Sequence, residues 1–355
     1  MRVVVAMSGG VDSSVAAALL QEQGHEVIGL SMQLYDHRGD QPFGSCCSID
    51  DLHDARRVAA SRGFPHYTVN FERQFQETVV ANFVGEYAAG RTPIPCAHCN
   101  SDLKFATLVD RALGLGAPVV ATGHYARVDR GEDGRWRLRR GVDRGKDQSY
   151  FLFSLTQAQL AHAAFPVGGL TKEEVREHAR RLELRVADKP DSQEICFVPG
   201  GDYASFVADR MPDAPRAGAI VDMAGRTLGS HDGVHRFTIG QRKGLGVSAP
   251  APLYVLRIDA DSGRVTVGPR DALAQATLTA SDVNWIGGEP PAGWVPVTAQ
   301  IRHRHQAAPG RVRALPDTRA EFVFDVPQAA ITPGQAVVFY DDDVVIGGGW
   351  IANAR

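Results

Sequence analysis

Ser8-Gly9-Gly10-Val11-Asp12-Ser13-Ser14, preceded by the apolar run Val3-Val4-Val5, is the stretch that decides the fold of this chain. The run breaks into a glycine turn, and Val11, Val15 and Leu19 then recur every four residues toward Gly24, a C-cap position. The pattern predicts strand, loop, helix. Two glycines let the backbone approach an anion closely, the serine hydroxyls add donors, and the free N–H groups of a helix N-terminus favour negative charge. Asp12 by itself would repel a phosphate, so its expected use is to hold a magnesium ion that offsets both charges. No Gly-Lys-Ser/Thr follows, which separates this loop from the Walker type.

The 355 residues, 44% hydrophobic with a net charge of −3, allow a sizeable core and two or three domains. Arg2 precedes only Val3-Val4-Val5-Ala6-Met7 before the loop, too short an apolar region for a signal peptide, and no later run approaches a membrane span. The expectation is a cytoplasmic protein that does not meet a membrane. Five cysteines without a secretion signal argue against a disulfide framework and leave metal binding or redox chemistry. The acidic balance speaks against nucleic acid, whereas the clusters Arg135-Trp136-Arg137-Leu138-Arg139-Arg140 and Arg302-His303-Arg304-His305 speak for it.

Residues 1–204 alternate between strand and helix. Strand-like runs at Val27–Leu34, His66–Phe71 and Ala117–Thr122 are separated by helical faces at Leu52, Ala55, Val58 and Ala59, and at Phe105, Leu108, Val109 and Leu113. This predicts an α/β, Rossmann-like domain whose parallel sheet binds its ligand at the carboxyl ends of the strands. A small central α+β domain fits residues 205–272, with a hairpin whose strands Tyr254–Ile258 and Val265–Val267 flank a turn-rich spacer. Residues 273–355 carry short strands at Val295–His303, Arg311–Leu315, Ala320–Val326, Ala336–Tyr340 and Val344–Ile351, which predict a compact C-terminal β-barrel or sandwich.

Cys96 and Cys99 form a Cys-x-x-Cys pair, and Cys196 follows Asp191-Ser192-Gln193-Glu194-Ile195. Such thiols bind zinc, carry a dithiol or ligate an iron–sulfur cluster. A closed zinc site lacks a fourth good ligand, since His98 inside the pair cannot easily turn to the same metal. Adjacent Cys46 and Cys47 read as a loop position or as packing. If the loop adenylates, as its resemblance to that of the ATP pyrophosphatases implies, its combination with thiols suggests a carbonyl oxygen made into a leaving group and a thiolate or persulfide that displaces it, giving a thiocarbonyl.

The loop resembles that of the ATP pyrophosphatases. The chain as a whole resembles the bacterial tRNA-specific 2-thiouridylases, the MnmA/TrmU family. The matching blocks are Ala6–Ser13, Gly90-Arg91-Thr92-Pro93, Cys99-Asn100 with Lys104-Phe105, Thr122-Gly123-His124-Tyr125, Lys146–Leu152, Asp191–Phe197 and Gly240–Gly246. The resemblance implies ATP on Ala6, Met7, Ser8, Gly9, Gly10, Val11, Asp12 and Ser13, with Met32 and Gly123 near the adenosine. It implies Cys99 as nucleophile and Cys196 as persulfide carrier. It places the target base at Ile94, Pro95 and Cys96, and tRNA contacts at His124, Lys146, Asp147, Gln148, Arg302, His303 and Gln335. The implied partners are tRNA and a sulfur-donor protein or relay. Some family members have Asp where this chain has Cys96, so two routes stand side by side. One is a persulfide route through Cys99 and Cys196; the other is a 4Fe-4S cluster on Cys96, Cys99 and Cys196. Other functional readings are a small-molecule synthetase of the argininosuccinate synthase type, which does not account for the cysteines, and a nucleotide-gated RNA-binding module without catalysis.

Overall fold

The computed structural model describes residues 1–35, 49–190, 195–211 and 217–355. The first segment supplies β1 (Arg2–Ala6), β2 (Glu26–Gln33), β3 (His66–Asn70), β4 (Val119–Thr122), β5 (Ala126–Arg130), β6 (Trp136–Arg140) and β7 (Ala163–Ala164). Five of these form a parallel sheet in the order β3-β2-β1-β4-β7. Val3, Val4 and Val5 are all fully buried because both faces of β1 are covered. Val4 joins Ile28, Leu30 and Met32 in one core, and Val3 and Val5 join Val27 in the other. Helix α1 (Val11–Glu22) packs in the second core through Val11 and Val15, and Gly24 beyond it takes the left-handed conformation expected of a C-terminal cap. Helix α2 (Ile49–Arg62) buries Ala55, Val58 and Ala59 as the periodicity predicts. In the later helix Ala106–Gly114, Leu108 and Ala112 face inward while Leu113 is exposed, a correction to the predicted face.

The central segment forms a four-stranded sheet from β8 (Gly218–Val221), β9 (Thr227–His231), β10 (Tyr254–Asp259) and β11 (Arg264–Gly268), in the order β10-β11-β8-β9. The predicted hairpin is β10–β11. Six more strands close into a barrel: β12 (Ala274–Trp285), β13 (Val295–Gln300), β14 (Ala308–Leu315), β15 (Arg319–Ala329), β16 (Ala336–Asp341) and β17 (Val344–Ala354). They run β12-β15-β14-β13-β16-β17, and β17 pairs back with β12. Closure removes free edges from the ring.

The hairpin β5–β6 leaves the first segment and adds to the barrel, Leu138 opposite Val345 and Arg139 opposite Val344. The basic cluster at 135–140 is therefore a strand in a joint. Arg137 and Arg139 both bond Asp129, Arg139 and Arg127 bond Asp343, and Arg140 bonds Asp147. These arginines hold strands together and do not form an unpaired basic surface. No helix among the described residues is long and apolar enough to cross a membrane.

Candidate active site

In the sheet order the chain steps outward from β1 through β2 to β3 and then crosses to β4 on the other flank of β1, and the crevice above the carboxyl ends at such a switch point is where these sheets bind ligands. The loop after β1 and the turn after β4 meet there. Gly9 has φ of 77°, and a Cβ on it would lie 2.1 Å from the Asp51 carbonyl oxygen. Gly10 caps α1 in extended conformation without a side chain, so the first-turn N–H groups remain available to an anion. Ser13 Oγ accepts from the Ser8 N–H at 3.2 Å, and the Ser14 hydroxyl donates to the Gly10 carbonyl at 2.8 Å. A Cβ on Gly123 would lie 2.5 Å from the Ser13 nitrogen, so the β4 turn closes directly on the start of α1.

Two lysines that the sequence did not single out complete the crevice. Lys172 opens the helix Lys172–Arg181, whose start is fixed by a capping box between Thr171 and Glu174. Its ammonium donates to both oxygens of Asp12, at 2.8 and 2.9 Å, and the Tyr125 hydroxyl donates to the same carboxylate at 2.7 Å. Lys189 donates to Asp51 and Asp54 of α2, each at 2.6 Å, and to the Gly9 carbonyl at 3.1 Å. Burial alone would lower the Lys189 pKa, but hydrogen bonds to the two carboxylates more than offset it and the net shift is upward. The Asp12 carboxylate is thus held by Lys172 and Tyr125. It still suits magnesium, which keeps its waters and needs only one or two carboxylates beside substrate phosphates.

Cys99 and Cys196 lie on the other side of the sheet. Pro95 starts a short helix at the position where its missing N–H costs nothing, and the chain runs on from Cys99 to Phe105 as a π-helical stretch. Cys99 is buried within the core that holds Met32 and Leu103, and Cys196 packs against the same core. Tyr35 donates its hydroxyl to the Cys196 carbonyl at 2.9 Å. Cys96 is exposed. Among the described residues no three His, Cys, Asp or Glu side chains gather so as to hold a metal ion, and the three thiols occupy different settings. Cys46, Cys47 and Asp191–Glu194 lie outside the described residues.

The remaining predicted residues divide by what they already bond. Ile94 and Pro95 are buried. The Asp147 carboxylate accepts from the Gly141 and Ser149 N–H groups, the Ser149 hydroxyl and Arg140, which makes it a brace for its loop. Gln148 accepts from the Tyr125 N–H at 2.9 Å, and Gln335 donates to the Thr92 and Pro93 carbonyls at 3.0 and 3.2 Å. Lys146 is half-buried, whereas Arg302 and His303 are exposed, His303 lying 4.6 Å from the Phe151 ring. His124 shares a 2.7 Å hydrogen bond with Thr122. Burial, with a smaller contribution from the Lys104 ammonium, pushes its imidazole down to about 3, so it is neutral at physiological pH.

Three family models match consecutive parts of the chain: a "tRNA methyl transferase HUP domain" over residues 1–200, a "tRNA methyl transferase PRC-barrel domain" over 204–269 and an "Aminomethyltransferase beta-barrel domain" over 275–351. A tRNA-specific 2-thiouridylase MnmA of Geotalea uraniireducens is 55% identical over 99% of this chain and 95% of its own length. The protein of the same name from Geobacter metallireducens is 54% identical over 99% and 97%, and that from Magnetococcus marinus 52% identical over 99% and 98%. With such identity running through all three segments, the chain belongs to the tRNA-specific 2-thiouridylase family.

Proposed function

We propose that this enzyme uses ATP to replace the C2 oxygen of the wobble uridine of tRNA with sulfur. Residues 1–204 would carry the chemistry, with 205–272 and 273–355 helping to hold the RNA. The observation that carries the reading is the placement of an uncapped, glycine-built anion loop on one side of a parallel sheet whose other core holds Cys99 and takes Cys196 against it. ATP binds on Ala6–Ser13, its adenosine toward Met32 and Gly123. Asp12 would hold magnesium, which when bound would offset charge on the phosphates. The uridine is turned out of the anticodon stack toward Ile94, Pro95 and Cys96, because a stacked base cannot present its C2 carbonyl. Arg302, His303 and Lys146 meet phosphate, and neutral His124 contributes a hydrogen bond without charge. Gln148, Asp147 and Gln335 shape the surface by the bonds they already make.

The C2 oxygen attacks the α-phosphate and pyrophosphate leaves, so the oxygen departs later as part of AMP. The terminal sulfur of a Cys196 persulfide, loaded by a donor protein or relay, attacks C2 and expels AMP. The Cys99 thiolate then attacks Cys196 Sγ, breaking the S–S bond to the transferred sulfur. That sulfur remains on C2 as a thiocarbonyl, and a Cys99–Cys196 disulfide is left for a two-electron dithiol reductant. The site suits a cytoplasmic enzyme, where thiols are kept reduced.

Mass spectrometry of tRNA nucleosides after incubation with ATP and a sulfide or persulfide donor tests this. Wild type and Cys96→Ser should yield 2-thiouridine, and Cys99→Ser and Cys196→Ser should not. Thiolation by Cys196→Ser would remove the persulfide carrier, and ATP turnover indifferent to both cysteines and to tRNA would favour a small-molecule synthetase.

A further inference from the structure

The segment 92–99, which ends at Cys99, rests on the barrel at several points. The Thr92 N–H donates to the Pro333 carbonyl at 2.9 Å, and Gln335 holds the Thr92 and Pro93 carbonyls. Gly334, with φ of 88°, lets the barrel approach so closely that a Cβ there would lie 2.9 Å from the Thr92 oxygen. Ile94 and Ala97 are buried in one cluster with Ala336 and Val338 of β16. His98 stacks on the Trp350 indole of β17, with ring centroids 4.2 Å apart and planes 7° from parallel. The His98 Nδ1 is in turn 2.8 Å from Asp102, which also accepts from the Ser101 hydroxyl. Phe153 meets the Trp350 indole edge-on, with ring centroids 5.4 Å apart.

We infer that Trp350 is a positioning residue for the reaction: through its stack on His98 the barrel fixes the helical turn that places Cys99. His98 carries the contact because it is the immediate neighbour of Cys99 and is oriented from one side by Asp102 and from the other by the indole. Losing the stack leaves the barrel closed by β12–β17 pairing but frees the turn. A stack of two aromatic rings shifts an opening equilibrium by about two- to tenfold. Cys99 is buried and reacts with an alkylating agent only through such openings, so its alkylation rate reads that equilibrium directly. The catalytic consequence rests on Cys99 being the nucleophile proposed above; the alkylation measurement needs neither ATP nor tRNA and separates the two.

The test compares the reduced full-length protein with Trp350→Leu, Trp350→Phe and, as a barrel control, Trp285→Leu, which removes a ring stacked on Phe339 away from the segment. Peptide-level mass spectrometry follows iodoacetamide labelling, with exposed Cys96 as internal reference. Trp350→Leu should raise Cys99 labelling two- to tenfold relative to Cys96, Trp350→Phe should restore most protection, and Trp285→Leu should leave the ratio unchanged. Thiolation by Trp350→Leu should lose kcat by a similar factor with KM for tRNA unaltered. Equal labelling of Cys99 in Trp350→Leu and wild type, or an equal rise in Trp285→Leu, would overturn the inference. A rise in Cys99 labelling without any change in kcat would leave the clamp standing and count instead against Cys99 as nucleophile.

Discussion

Replacing Lys189 by Met tests whether the crevice is held in shape by charge. The ammonium makes three hydrogen bonds, two to carboxylates and one to the Gly9 carbonyl, and its side chain is 28% exposed, with Asp51 and Asp54 at 12% and 25%. A charge-assisted hydrogen bond contributes about 1.5–3 kcal/mol when buried. Discounting for the solvent that reaches this triad, the loss should be about 2–4 kcal/mol. Part of that loss is the repulsion left between Asp51 and Asp54, one helical turn apart beside the glycine loop. The Lys189 pKa is raised in the fold, so its contribution is complete below the unfolded lysine value of about 10.4 and disappears as pH rises through the higher folded value. Urea unfolding should therefore show the full deficit of Lys189→Met at pH 7 and a narrowing gap above about pH 10.5. ATP binding should weaken with it, because Gly9 loses its tether and Asp51 and Asp54 beside the loop lose an ammonium. A variant within about 0.5 kcal/mol of wild type at pH 7 would show that the triad is solvated surface and that charge does not hold the crevice in shape.

Gly123→Ala should cut ATP–pyrophosphate exchange by about a hundredfold, since its Cβ would meet Ser13 N and displace the start of α1; undiminished exchange would mean the β4 turn is free to move. His124→Gln should leave the pH profile of thiolation between about pH 5 and 8 unchanged, because the native imidazole is already neutral there. The same variant should flatten the acid limb of stability: with its folded pKa depressed, His124 favours the unfolded chain as pH falls below about 6.5. An acid limb identical to wild type would place His124 in contact with water.

What was legible in the sequence was local. Val3-Val4-Val5, the two glycines and the four-residue apolar recurrence lie within one strand–turn–helix unit, and the neighbouring alternation sufficed for the parallel sheet. The barrel strands with clear apolar runs were legible too. Strand β12 was not, because Ala274–Trp285 is rich in small and polar residues and is a strand by virtue of its two neighbours, β15 and β17. Strand β6 was masked by its arginines, whose partners are Asp129 across the β5–β6 hairpin, Asp147 seven residues on and Asp343 in the turn between β16 and β17. Local patterning cannot reveal a charge neutralised by a residue 204 positions away.

The same cause hid half of the crevice. Lys172 and Lys189 lie 160 and 180 residues from the Asp12 and Gly9 that they grip, in a stretch where the sequence offered no motif. The readable loop supplies backbone N–H groups and a negative side chain, and the unreadable lysines supply the positive charge that offsets Asp12 and the Asp51–Asp54 pair beside it. Neutralisation by lysine is reversible in a way that neutralisation by packing is not: an ammonium can pass from Asp12 to a phosphate oxygen while the carboxylate takes up magnesium, with no net change in paired charge. A single ion-pair exchange at Lys172 would then accompany loading of the loop. Lys172→Met should accordingly weaken ATP binding more at low magnesium than at high, where the metal substitutes for the missing ammonium on Asp12. Equal weakening at both magnesium concentrations, measured by equilibrium titration, would show that Lys172 serves only to hold Asp12 in place.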